Sequence, residues 1–166
     1  MGCCAARCTS KRAVGWVPRN SGRVAVEAAV LRAAAALPEQ GLVLVEGQGS
    51  LCHPASTATL PLLRGTQPTA LLLVHRAAQQ TIDRLPQIPL PSLEALVATT
   101  ESLASWARPD GAAEPAKVAA VALNTARLDE AQARDEVERI RPTLGLPCTD
   151  PIRWGAEPLL RGLLNC

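Results

Sequence analysis

The sequence predicts an α/β fold, an open and mainly parallel sheet with helices on both faces. Three observations carry this prediction. The candidate strands are unbroken apolar runs, whereas a half-solvated strand alternates with period two. Stretches of helical character separate them, as crossover connections require. The chain has 166 residues, 48% hydrophobic and 19% charged, enough for one domain that buries roughly 70% of its unfolded surface.

Residues 1–22 show no apolar periodicity and contain Gly15, Pro18, Asn20 and Gly22, so they read as an unstructured tail. From Arg23 to Leu37 the chain is Ala-rich and broken only by Glu27 and Arg32, which favours a helix ended by Pro38. Gly41 to Glu46 is a short branched-chain run, a buried strand. Ala70 to His75 and Lys117 to Leu123 repeat that pattern, and Leu146 to Cys148 reads as a short last strand. Ser92 caps a predicted helix with apolar Leu93, Leu96, Val97 and Leu103, stopping before Pro109. Asp129 with Gln132 forms a capping-box pattern for a helix running to about Arg141. Along it, Glu130 precedes Arg134 and Asp135 precedes Arg139 by four residues, the favourable order for ion pairs. Ala156 to Leu164 closes the chain as a helix.

Composition narrows the function. Three Trp, no Phe and no Tyr leave almost no stacking platform for single-stranded nucleic acid, and a net charge of +2 implies no basic binding surface. No apolar run approaches the roughly 18 residues of a membrane span. Six cysteines occur without a Cys-x-x-Cys pair and with only two histidines, which argues against structural zinc. With no secretory apolar region, free thiols in a reducing cytoplasm are expected. The Met-Gly-Cys-Cys start is like an acylated terminus, but Ala6 stands where that pattern needs Ser or Thr.

In open parallel sheets, ligands bind beyond the carboxyl ends of the strands. The distinctive polar residues fall there: Glu46 to Pro54, then His75-Arg76, Asn124-Thr125 and Thr149 to Arg153. They are expected to converge on one cleft. Glu46 at a strand end suits a base or a Mg²⁺ ligand. Gly47 and Gly49 permit a tight turn with amides facing an anion, Ser50 adds a hydroxyl, and His53 adds an imidazole, the side chain that titrates near neutral pH. His75 reads as a polar strand terminus, and Cys52 beside His53 as a weak candidate nucleophile. Asn124 either reads a nucleotide base or closes a turn. Asp150 and Arg153 either pair with each other, or Arg153 holds a carboxylate or phosphate. No Walker pattern is present, and neither lysine, Lys11 nor Lys117, follows a glycine.

The stretch Val45-Glu46-Gly47-Gln48-Gly49-Ser50-Leu51-Cys52-His53-Pro54 resembles the signature of the DgcN-like family, long classed as a domain of unknown function. The resemblance continues through Leu62 to Pro68 and Ala122 to Thr125, and ends with Thr149-Asp150-Pro151-Ile152-Arg153-Trp154-Gly155-Ala156-Glu157-Pro158. It covers about 23–164. It implies a C-terminal domain of the P-loop NTPase-like, dethiobiotin-synthetase type, and an N-acetyltransferase acting on D-glutamate with acetyl-CoA as co-substrate. The resemblance places Glu46 where relatives carry a strand-end acid that handles metal and Asn124 where they recognise a nucleotide base. For acetyl transfer, the catalytic candidates are His53 or Glu46 as the base and Ser50 on the oxyanion with Gly47, Gln48 and Gly49, and Arg153 or Arg76 is the candidate to bind a substrate carboxylate. The alternative it leaves open is an ATP- and Mg-dependent kinase or ligase-like protein with Glu46 on the metal, or an inactive remnant.

Family members carry a separate N-terminal domain and then a phosphate loop before the region matching Arg23. No counterpart of that first strand and loop is read in residues 1–22, so a truncated or frame-shifted product with an unstructured or non-homologous tail is expected, a genuine shortened paralogue being the alternative. Unpaired sheet edges would follow, favouring a homo-oligomer. A small amino-acid substrate, with no nucleic-acid or membrane partner, completes the expectation.

Overall fold

In the computed structural model, residues 2–8, 23–37, 42–47, 50–106 and 115–165 are described. In chain order the elements are β1 (Gly2–Cys8), α1 (Arg23–Ala35), β2 (Leu42–Val45), α2 (Thr59–Thr66), β3 (Ala70–Arg76), β4 (Thr81–Ile82), β5 (Leu85–Pro89), α3 (Leu93–Ser105), β6 (Lys117–Asn124), α4 (Glu130–Leu144), β7 (Cys148–Thr149), α5 (Pro151–Trp154) and α6 (Glu157–Leu164). The main sheet has the order β2-β1-β3-β6-β7, and β4-β5 forms a separate hairpin.

β3, β6 and β7 run parallel, as unbroken apolar runs demand. β1 is antiparallel to both β2 and β3, so every other strand of the sheet shares one direction. Here the structure corrects the sequence reading. Gly2–Cys8 is not a tail: it lies between β2 and β3, with Ala5 opposite Val45 on one side and Leu71 on the other. The slot expected to stand open is therefore filled. The remainder of the expected tail, residues 9–22, lies outside the described residues.

Side chains alternate across the sheet and sort into two layers. One layer packs Val43, Val45, Leu71, Leu73, Val121 and Leu123 against Val26 and Val30 of α1, Leu62 and Leu63 of α2, Ala104 of α3, and Val137 and Ile140 of α4. The other sets Ala70, Ala119, Ala120 and Ala122 under Leu159 and Leu163 of α6. With no Phe or Tyr available, small residues on the strands let the helix backbone come close. The approach is tightest at a bulge. Val118 faces Leu71 and Ala120 faces Leu72, so Ala119 is an extra residue in β6. Its carbonyl is directed at α6, where a Cβ on Gly162 would lie 2.5 Å from the Ala119 oxygen and 3.2 Å from the Ala120 Cβ.

The predicted caps form. Ser92 Oγ accepts from Ala95 N–H at 3.2 Å, and Asp129 and Gln132 exchange side-chain-to-backbone bonds of 2.8 and 3.2 Å. Glu130 pairs with Arg134 at 2.6 Å. Arg139, however, turns from Asp135 to Glu136, donating two parallel bonds at 2.9 and 2.8 Å. α4 also runs through Pro142 to Leu144, because Gly145, at φ +65°, closes the end by donating to the Arg141 carbonyl at 2.8 Å. The hairpin, α2 and α5 have no counterpart in the sequence reading. Among the described residues, no helix is long and apolar enough to cross a membrane.

Candidate functional site

Because β2, β3, β6 and β7 point one way, Glu46, Arg76, Asn124 and Asp150 all reach the same carboxyl rim. They do not reach it evenly. β1 separates β2 from β3, placing their ends two strand spacings apart, about 10 Å. On the β3 side the groups are joined: the Ala77 N–H donates to the Asn124 carbonyl at 3.0 Å, and β6 and β7 are tied through Asp150.

Asp150 is the centre of that half. It is only 3% exposed. Its Oδ2 accepts from the Thr125 N–H at 3.0 Å and from the Thr125 hydroxyl, and its Oδ1 accepts from the Ile152 and Arg153 amides at 2.9 and 3.2 Å. Burial pushes this carboxyl up, but the Thr125 hydroxyl and N–H and the two α5 amides outweigh it and hold the pKa below the ordinary value. Asp150 thus caps α5, and Pro151 follows at the position where a missing N–H costs nothing. The Asp150–Arg153 ion pair offered by the sequence is not the arrangement found. Arg153 instead donates through Nη2 to the Leu128 carbonyl at 2.7 Å and the Thr125 carbonyl at 3.4 Å, holding the β6–α4 turn.

Asn124 takes the turn-closing course: its Oδ1 accepts from the Ala126 N–H at 3.1 Å, which leaves its amide NH₂ as the group able to address a ligand. Beside it lies a cavity of about 460 Å³ lined by Val74, Ala122, Asn124, Asp150, Ile152 and Arg153. Ile152 is 93% exposed at its mouth. Thr125 was visible in the sequence only as the residue after a strand. Its role as clamp on Asp150 depends on a partner 25 positions away, beyond any local motif.

The described residues of the Glu46 to Pro54 segment, 46–47 and 50–54, lie apart from this half, on the β2 side. Glu46 is exposed at the end of β2 and Gly47 is partly covered, while Gln48 and Gly49 lie outside the described residues. Ser50 Oγ accepts from the Cys52 N–H at 3.2 Å, and the Ser50 carbonyl accepts from the His53 N–H at 3.2 Å. The Ala55 N–H donates to His53 Nδ1 at 3.1 Å. That bond occupies the Nδ1 lone pair, so the neutral ring carries its proton on Nε2 and presents a donor outward. Burial pushes the Cys52 thiol up, which disfavours a thiolate nucleophile there. Arg76 forms an ion pair of 3.7 Å with Asp83 in the hairpin turn. Among the described residues, no three His, Cys, Asp or Glu side chains gather as a metal site. A Mg²⁺ ion at Glu46 would draw its other ligands from water and substrate oxygens, as that ion commonly does.

Comparison with known proteins adds a context. Residues 13–160 match the family model described as domain of unknown function DUF1611, C-terminal P-loop domain. That match begins inside the segment read from the sequence as a non-homologous tail. A D-glutamate N-acetyltransferase from a Pseudoalteromonas species is 33% identical over 121 residues, covering 72% of this chain and 35% of that protein. Another from Tritonibacter scottomollicae is 37% identical over 121 residues, covering 72% of this chain and 35% of that protein. The chain thus spans about a third of the length of the curated relatives it matches. The crystal structure of a DUF1611 family protein from Anabaena variabilis superposes with a TM-score of 0.78 at 43% identity, covering 87% of this chain and 40% of that one.

Proposed function

The chain belongs to the DUF1611 C-terminal P-loop domain family, and on that premise we propose that it is an acyl-transfer domain moving the acetyl group of acetyl-CoA to the amine of a D-amino acid, D-glutamate first. The observation that carries the proposal is its similarity, over 72% of the chain, to proteins named D-glutamate N-acetyltransferase.

The reaction asks for three things. An ammonium must lose its proton before its nitrogen attacks the thioester carbonyl, forming the C–N bond as the C–S bond breaks. The carbonyl oxygen needs donors while it bears charge, and the departing thiolate takes up a proton. Glu46, exposed at the end of β2, is the proposed base. His53, holding its proton on Nε2, fits a donor to the oxyanion or leaving sulfur better than a base, since base action requires release of the Ala55 N–H. Gly47 and Ser50, with Gln48 and Gly49 between them in sequence, are the proposed oxyanion and carbonyl contacts. The cavity beside Asn124 and Arg153 is proposed to receive the adenine end of the acyl donor, read by the Asn124 amide, and Arg76 a substrate carboxylate.

The test is thiol release from acetyl-CoA by the purified chain, with and without D-glutamate, beside thermal scans with acetyl-CoA or MgATP. D-Glutamate-dependent thiol release that Glu46→Gln abolishes is the expected result. A thermal shift with MgATP alone would instead favour the nucleotide-dependent kinase or ligase-like reading. No release, and no shift with acetyl-CoA, would overturn the proposal for this chain.

A further inference from the structure

A second cavity, about 660 Å³, opens between α2, α3 and the segment that follows β2, a size that small-molecule sites commonly have. Its walls are apolar: Leu51 of the segment, Leu60 and Pro61 of α2, and Leu103 of α3. Leu51, Pro61 and Leu103 are half-buried and Leu60 is 42% exposed, so each still offers apolar surface to a ligand. The polar groups of the lining are not equally available. The Ser56 and Thr59 hydroxyls lie 3.4 Å apart and engage each other. Arg64 stands one helical turn after Leu60, on the same exposed face of α2. Among the described residues it has no ion pair and no hydrogen-bonding partner for its side chain. No carboxylate of the described residues lines the cavity. Glu101, the acid of α3 closest in sequence to Leu103, is engaged elsewhere, by Lys117 and the Val118 N–H at 2.9 Å each.

An apolar enclosure with one uncommitted cation and no acid discriminates among ligands. A small hydrophilic anion would leave the leucine walls in water, and an uncharged hydrocarbon would leave the guanidinium unused. An ammonium would meet like charge, and a dianionic phosphate exceeds the single positive charge available. We propose that the cavity binds a monocarboxylate with an apolar chain, the chain against Leu51, Leu60, Pro61 and Leu103 and the carboxylate in the guanidinium fork of Arg64. Because Arg64 is exposed, the carboxylate stays at the mouth and keeps part of its water, so the apolar walls take up only the chain and no charge is buried. The inference stands without the acyl-transfer reading, since none of these residues serves that reaction.

Leucine-methyl NMR of the full chain tests it, with the resonances assigned through Leu51→Ile, Leu60→Ile and Leu103→Ile. The probe is hexanoate, and hexan-1-ol, hexylammonium and acetate are titrated in parallel. Saturable shifts of all three methyl groups with hexanoate are expected, with hexanol weaker by up to about fivefold, the worth of an exposed ion pair. Hexylammonium should bind more weakly still, and acetate should leave the methyl groups unmoved. From butanoate through hexanoate to octanoate the affinity should rise by up to about fourfold for each methylene the cavity covers. Arg64 is exposed, so replacing it leaves the core intact. Arg64→Gln should bring hexanoate down to the affinity of hexanol without changing hexanol, and Arg64→Lys should retain part of the preference. Hexanol binding as tightly as hexanoate would overturn the inference, as would acetate binding as tightly as hexanoate. So would unmoved Leu51, Leu60 and Leu103 methyl groups at high octanoate in a chain whose amide spectrum is that of a folded protein.

Discussion

Gly162→Ala sets two effects of opposite sign against each other. Replacing a helical glycine by alanine stabilises an exposed helix by about 1 kcal/mol. Here the new Cβ would stand 2.5 Å from the Ala119 carbonyl oxygen and 3.2 Å from the Ala120 Cβ. The oxygen is backbone, set in β6 between the paired Val118 and Ala120, so it cannot yield as a flexible side-chain tip would. Relief needs α6 to withdraw by roughly 0.5–1 Å, a gap that forfeits a quarter to a half of each dispersion contact. The contacts at stake are those of Leu159 and Leu163, 5% and 4% exposed. Their burial is worth about 1.5–3 kcal/mol each. A strain and contact loss of about 2–3 kcal/mol less the helical gain leaves about 1–2 kcal/mol of net destabilisation, within the usual range for overpacking. At about 2–4 °C per kcal/mol for a chain of this size, the midpoint should fall by roughly 2–8 °C. Urea and thermal denaturation of the two proteins measure it. An alanine variant as stable as its parent, or more so, would refute the close approach of α6 to the β6 bulge.

Asp150→Asn keeps the shape of the β6–β7 clamp but removes its charge, and should cost about 1–3 kcal/mol in urea denaturation. Because the folded carboxyl is held below its ordinary 3.8, its contribution is present above that pH and is lost as the pH falls below it; the Asn variant should lack this acid limb. His75 gives a limb in a different window. The unfolded imidazole takes a proton near 6.5 and the folded one only near 4, so stability should drop by about 3 kcal/mol as pH falls from 6.5 to 4, and His75→Gln should flatten that stretch. A parent curve flat across this range would remove His75 from the interior. Ala5→Pro should disrupt β1 at its midpoint, where the residue is paired on both sides, and unfold the chain or destabilise it by several kcal/mol. A neutral result by circular dichroism and urea titration would place Gly2–Cys8 outside the sheet.

Much of this architecture was legible because its signals are local. The apolar runs of β2, β3 and β6, the Ser92 cap and the Asp129–Gln132 box each depend on neighbours within a few residues. What escaped depends on distant partners. Gly2–Cys8 has no apolar pattern of its own, and becomes a strand because β2 and β3 both present ladders to it. Arg139 chose Glu136 over the better-spaced Asp135 because two parallel bonds outweigh one favourable spacing. The same division runs through the site. Residue types at strand ends identified the rim, but Thr125 holding Asp150, and Gln79 left with a bare oxygen, are visible only once the strands are assembled.

The direction of β1 bears on which chemistry the rim can support. A phosphate cradle built on a central strand uses the loop that follows that strand into a helix at the carboxyl rim. Here Gly2 lies opposite Val74 near that rim, and Cys8 lies opposite Leu42 at the far end. β1 therefore brings its first residue to the rim, and its last residue leaves on the other side. Among the described residues, the donors at the other strand ends are the backbone amides that follow β2, the Asn124 amide, and the guanidinium groups of Arg76 and Arg153. Those are single contacts on separate elements, with Arg76 shared with Asp83 and Arg153 shared with two carbonyls. The triphosphate of a nucleotide and the diphosphate of an acyl-CoA would both meet these same donors, so the direction of β1 bears equally on the two readings of this rim.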